Sequence, residues 1–200
     1  MFPLTDVAAE IVPEGLARPE TVPTDIFDAA LATFLGERRL DMRGLAGELG
    51  ISRATLYRRV GGRDHLLGQV MWFLTRIALV RAVGEGDGLA GKERVVRVIE
   101  AFMRDIHGRP ALRRLLEAEP EAALRILTSK EGPMQAGISD ALERLIEQER
   151  RAGRLEVTIE PATLAYVIVR VGESFLYADV IASGDPDVDQ AVEVISRLLD

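Results

Sequence analysis

The sequence predicts an all-α protein, and three features lead to that expectation. Apolar residues recur at three- and four-residue intervals over most of the 200 residues, the spacing of one helical face. Gly and Pro fall between those stretches, where they stop helices without breaking them internally. Aromatics make up only 5 % of a chain that is 48 % apolar, so the core is built from Leu, Ile, Val and Ala.

Taken in order, residues 1–23 hold Pro3, Pro13, Pro19 and Pro23 without a sustained period and read as a flexible or extended arm. Thr24 is expected to cap a helix over 24–36, with Ile26, Ala29, Ala30, Thr33 and Phe34 along one side. Asp41 caps a short helix ending at Gly50, and a third runs from Ser52 to Val60 before Gly61-Gly62. A long helix from Arg63 to Val83 stops in the Gly-rich 84–88 loop. Further helices are expected over 92–107, 110–118, 121–129, 133–152, 161–183 and 187–199. Residues 155–159 alternate, but an isolated strand forms no sheet. The expected organisation is an arm (1–23), a three-helix domain with a helix-turn-helix (24–70) and a helical bundle (71–200).

Several classes of function drop out. The chain has no cysteine, which removes disulfides, zinc-thiolate sites and cysteine nucleophiles together. Its two histidines, His65 and His107, lie in different segments, so neither a histidine metal cluster nor a catalytic dyad is expected. No nucleophile–base–orienter set and no phosphate loop is present, and the chain reads as a non-enzyme without cofactor or metal. The greasiest segments are interrupted by Arg76 and Arg81, and by Arg170, Glu173 and Asp179, short of an uninterrupted membrane span. No basic region followed by an apolar run opens the chain, so a cytoplasmic location is expected.

The formal charge of −7 conceals an asymmetry. Between Arg38 and Arg63 stand seven arginines against Asp41 and Glu48, a local net of +5. A basic patch on an acidic body is the footprint of a protein that meets phosphates at one end; the alternative is a solvated helix face rich in Arg.

Residues 45–57 carry most of the functional expectation. Two short helices that cross closely need a small residue at the crossing, which Ala46 supplies. The turn needs a residue at positive φ, and Gly50 adopts it at no steric cost. Ile51 and Leu56 flank the Ser52 cap at the spacing of a hydrophobic staple. At N3 stands Thr55 instead of an acid, its hydroxyl free to face something else. On a helical wheel Leu56 and Val60 define the buried side, while Ala54 and Arg58 fall about 160° and 200° from Leu56. Thr55 and Tyr57 flank that outward stripe. Arg can read guanine, Ala and Thr methyls can meet a thymine methyl, and hydroxyls reach phosphates. Arg63 and the free N–H groups of the next helix add a phosphate site. The candidate DNA-binding residues are Arg43, Ser52, Arg53, Ala54, Thr55, Tyr57, Arg58, Arg59 and Arg63. The alternatives are a packing corner, or a helical partner-binding protein that uses the pair for protein contacts.

Residues 24–76 resemble the N-terminal DNA-binding domain of TetR-type regulators, above all in Met42–Ala46, Ser52–Val60 and Arg63–Leu67. The resemblance implies a homodimer with a divergent helical C-terminal domain that receives a small molecule and releases a palindromic operator, acting as a repressor. By position, Thr55, Tyr57 and Arg63 match residues on the DNA backbone, and Arg53, Ala54 and Arg58 match residues facing bases. Val60 replaces the family's common aromatic and Arg63 its usual Lys, which retains an apolar residue and a cation. The string from Arg58 to Asp64 is similar to the subgroup regulating quorum-signal lactone degradation.

The segment from Pro161 to Gly184 is apolar on two sides. Leu164, Ile168, Val171, Phe175 and Ala178 form one seam and Ala165, Val169, Gly172 and Leu176 another, while Val188, Val192, Ile195 and Leu199 repeat the pattern in the last helix. One seam packs within the subunit. The first seam and the last helix (Leu164, Ile168, Val171, Phe175, Val188, Val192, Ile195, Leu199) are the candidate dimer interface, a four-helix arrangement with two-fold symmetry; the alternative is a thick monomer core. For a small-molecule site the candidates are Trp72, Phe73, Arg76, Phe102, Met103, Tyr166, Arg170, Glu173 and Tyr177. Core packing competes for each apolar member, and an internal Arg170–Glu173 pair competes for the charged ones.

Overall fold

The computed structural model describes residues 6–129 and 132–200, and every regular element among them is helical. A short α1 (Asp6–Ile11) precedes α2 (Thr24–Leu35), α3 (Met42–Glu48), α4 (Arg53–Val60) and the long α5 (Arg63–Glu85). Then come α6 (Gly91–His107), α7 (Pro110–Ala118), α8 (Pro120–Thr128), α9 (Pro133–Arg151), α10 (Pro161–Leu176), the single turn α11 (Ala178–Ile181) and α12 (Val188–Leu198). Pro110, Pro120 and Pro161 each open a helix, where the missing N–H has no partner to lose.

Three boundaries differ from expectation. Residues 6–12 are not an extended arm: α1 forms there and Ala8, Ile11 and Val12 are buried. The Gln148 amide donates to Glu10 at 2.9 Å, and Arg144 donates to the Ile11 carbonyl at 3.3 Å. Pro13, Pro19 and Pro23 follow this helix instead of interrupting it, and six residues are too few to show a period. Pro3 and the rest of 1–5 lie outside the described residues. At α2 the cap position is Pro23, with Thr24 already the first helical residue. The single helix expected over 161–183 ends at Leu176, because Tyr177 leaves helical geometry at φ −113° before α11.

The chain divides into two compact units. One consists of Leu16–Thr75 with Arg109–Gln135, and therefore holds α2, α3, α4, the first part of α5, α7 and α8. Its core joins Ile26, Phe27 and Ala30 of α2 to Leu45 and Ala46, Leu56 and Val60, and Leu66, Leu67 and Val70 of α5. Phe27 meets Phe73 edge-on at 5.3 Å between ring centres. Ile126 of α8 lies beside Gly68 of α5, and the Arg125 guanidinium reaches Asp64 at 2.7 Å. Residues 109–135 thus group with the helix-turn-helix, where sequence placed them in the bundle; the apolar faces of α7 and α8 (Leu112, Leu115, Leu116, Ile126, Leu127) are buried there.

The other unit holds the segment through Gly15, Arg76–Gly108 and Ala136–Asp200. Here α12 packs on α10 and α6, and Leu164, Ile168, Val188, Ile195 and Leu199 are all buried. At its centre Glu149 is fully buried and accepts from Gly91 N–H at 2.7 Å, from Arg154 at 2.7 and 3.0 Å, and from Arg94. The Arg154 fork, opposed by desolvation and aided by Gly91 and Arg94, holds the Glu149 carboxyl at a pKa of about 2. Gly91 sits at φ +60°, where a Cβ would overlap the Arg154 carbonyl. Helix α5 includes an 18-residue window of mean hydropathy 1.5, long enough for a bilayer, but 72 % of that window is buried inside the protein. It reads as a core helix.

Candidate nucleic-acid interface

Asp41 opens α3 by accepting Gly44 N–H at 2.7 Å and Arg43 N–H at 3.3 Å. Those two bonds, led by Gly44, pull its pKa below the ordinary carboxylate value. Met42, Leu45 and Ala46 face inward. The helix then ends in a paired motif: Ile51 N–H returns to the Ala46 carbonyl at 3.0 Å and Gly50 N–H to Gly47 at 3.2 Å. That closure needs a left-handed residue, and Gly50 provides it at φ +63°. Ser52 caps α4 immediately afterwards, accepting Thr55 N–H at 3.1 Å. Two caps and one left-handed glycine therefore set how α4 leaves α3.

Leu56 and Val60 are buried, and α4 turns its other side to solvent. Arg53, Ala54, Tyr57, Arg58 and Arg59 are exposed, as are Arg43 and Ser52. Tyr57 is 41 % exposed, an aromatic ring presented to solvent. Thr55 is half-buried, and its hydroxyl is not free as expected: it lies 2.9 Å from the Ser52 Oγ, because the N3 side chain folds back over the cap.

Arg63 is also drawn toward the protein. Expected on DNA phosphate, it is half-buried, its Nε donating to the Leu40 carbonyl at 2.8 Å and its Nη2 to Glu119 at 2.6 Å. Its fork is committed to the protein, since a guanidinium withdrawn from water needs such partners. Glu119 also takes Arg39 at 3.3 Å. Nothing local in the sequence marks Glu119, a loop residue before Pro120, as the acceptor of two arginines far away in the chain.

The small-molecule candidates do not converge in one unit. Trp72 is buried and Phe73 stacks edge-on against Phe27, both in the helix-turn-helix unit. The others belong to the second unit. There the buried Arg76 guanidinium reaches the Glu14 carboxylate at 3.3 Å and its carbonyl at 3.2 Å, and burial, partly offset by Glu14, lowers its pKa. Met103 lies against Gly172, and Phe102 is half-buried. Glu173 is mostly buried and pairs with Arg170 at 2.6 Å, the internal pair that competed with a ligand. Tyr177 is buried, and desolvation, aided by Glu173, raises its phenol pKa. Tyr166 is 56 % exposed and points away from the interior, contrary to expectation, because the buried stripe of α10 is Leu164, Ala165, Ile168, Val169 and Gly172. Among the described residues no group of His, Asp and Glu is arranged to hold a metal ion.

Five of the eight residues expected in the dimer seam are taken up inside one chain. Leu164, Ile168, Val188, Ile195 and Leu199 are buried within one chain, as are Ala165, Val169 and Leu176 of the alternative seam. Helices α12 and α6 pack against α10. Val171, Phe175 and Val192 stay half-buried, and Tyr166, Ile181 and Val194 are exposed.

A short capped helix, held by a left-handed glycine and presenting Arg, Ala and Tyr to solvent within an arginine-rich unit, defines a helix-turn-helix DNA-binding regulator. Residues 90–200 match the tetracyclin repressor-like C-terminal domain. The fold superposes on the TetR-family transcriptional repressor QsdR of R. erythropolis with a TM-score of 0.80 and 31 % identity, over 88 % of this chain and 96 % of that one. A TetR-family regulator from Rhodococcus sp. shares the fold alone, at a TM-score of 0.56 and 18 % identity over 88 % and 97 % of the two chains. None of the curated proteins matches. The chain belongs to the TetR family of transcriptional regulators.

Proposed function

We propose that this regulator is a cytoplasmic, non-catalytic repressor that binds a palindromic operator as a homodimer and leaves it when a small molecule binds. The observation that carries the DNA contact is the solvent-facing stripe Arg53, Ala54, Tyr57 and Arg58 on a helix fixed at both ends by caps. Arg58 reads a base edge in the major groove, Tyr57 and Ser52 meet the backbone, and Arg43 and Arg59 add phosphate contacts. The similarity to QsdR, described as a transcriptional repressor, supports repression. Together with the Arg58–Asp64 string it also supports the quorum-signal lactone subgroup.

The dimer face is taken to be the edge of α10 that carries Val171 and Phe175, about 40° apart around the helix, because these apolar residues of the seam stay partly uncovered within one chain. Effector contacts are assigned to Phe102, Met103, Glu173 and Tyr177, which combine apolar walls with polar groups inside one unit. The effector binds better to a dimer whose recognition helices no longer match grooves about 34 Å apart. Selection of random-sequence duplexes by the purified protein tests the reading. An enriched palindrome with half-sites one turn apart is expected. No enrichment at low salt would leave the helix pair as a protein-contact device.

A further inference from the structure

A second feature of the helix-turn-helix unit lies away from the outward face of α4. Between the end of α2, the start of α5 and α7 there is a cleft of about 390 Å³, within the size range of small-molecule sites. Four arginines line it, Arg38, Arg39, Arg63 and Arg114, against only Glu37 and Glu119 among the acids. Its floor is apolar and buried, formed by Phe34 and Leu115 among others. Arg38 and Arg114 are exposed and carry no side-chain hydrogen bond or ion pair among the described residues. The other two share one carboxylate, Glu119. Two arginines sharing one carboxylate, with two more on the same cleft, leave an excess of planar, forked donors, the kind of group that recognises phosphate oxygens.

We infer that this cleft binds a small organic phosphate, its anionic end held by Arg38, Arg114 and Arg39 and its apolar body resting over Phe34 and Leu115. Phosphate oxygens offer Arg39 and Arg63 a substitute for Glu119. Arg63 matters most, because the same guanidinium holds the Leu40 carbonyl, one residue before the Asp41 cap of α3. Loosening Glu119 therefore changes the tie between α7–α8 and the start of the helix-turn-helix, inside a single unit. That this alters operator affinity rests on the DNA-binding reading above; binding of the anion does not.

The test uses full-length protein without DNA, with trinitrophenyl-ATP as fluorescent probe and inorganic pyrophosphate as competitor. Saturable binding, displaced by pyrophosphate, is expected. The double variant Arg38→Ala/Arg114→Ala should weaken it at least tenfold, Glu119→Gln should tighten it several-fold, and Arg58→Ala should leave it unchanged. Both alanine positions are exposed, so unchanged thermal unfolding checks that the fold survives. Absence of saturable binding overturns the assignment. So does equal loss in Arg58→Ala, which places the anion on the recognition helix. Unaltered probe binding in the double variant with a shallower salt dependence of DNA binding also overturns it, since the arginines then serve operator phosphates.

Discussion

Replacing Glu149 by Gln tests how the second unit is held together. The carboxylate is fully buried between Gly91 N–H, Arg94 and Arg154, and its pKa falls from 4.5 to about 2 on folding. A depression of that size contributes on the order of 3 kcal/mol at neutral pH. The folded pKa lies below the unfolded one, so this contribution is complete above about pH 5. It is lost as pH falls through 4.5 toward 2. Glu149→Gln keeps the shape but removes the charge, stranding the buried Arg94 guanidinium. Losing one partner of such a pair costs about 3–5 kcal/mol. Urea unfolding of both proteins, repeated from pH 7 to pH 2.5, measures the gap directly. It should be several kcal/mol at pH 7 and narrow by about 2–3 kcal/mol at the acid end. A gap below about 1 kcal/mol at pH 7, or one independent of pH, would refute the assignment of Glu149 as the charged centre of this unit.

Arg58→Ala should cost about 1–3 kcal/mol of operator affinity and relax specificity at one base, with little change in thermal stability; loss of dimerisation instead would remove α4 from the DNA contact. Gly50→Ala meets no neighbouring atom yet must hold φ near +63°, so it should lower stability by about 1–2 kcal/mol through backbone strain alone, measured by thermal unfolding. Phe175→Asp should shift sedimentation toward the monomer with the fold intact, whereas Leu164→Ala should destabilise each subunit by about 2–5 kcal/mol. The reverse assignment of effects would restore the Leu164 seam to the interface.

The helix-turn-helix was legible from sequence because its determinants are local. Asp41, Ala46, Gly50, Ser52, Leu56 and Val60 act within a few residues of their own positions, through caps, one positive φ and a 3.6-residue period. The same locality explains most helix boundaries and the outward stripe of α4. What tertiary structure decided involves partners distant in the chain. Whether Arg63 meets DNA or protein depends on Glu119, and whether Leu164 and Ile168 face a second copy depends on α6 and α12 covering them. Periodicity shows that a side of a helix is buried but carries no information on what buries it. A charge run shows a basic surface but not which of its members find a carboxylate within the fold. The local string is enough to specify the capped helix α4 and its exposed face; which arginines and which apolar seams stay available for a partner follows from packing, because desolvation by distant residues is a property of the fold and not of the local string.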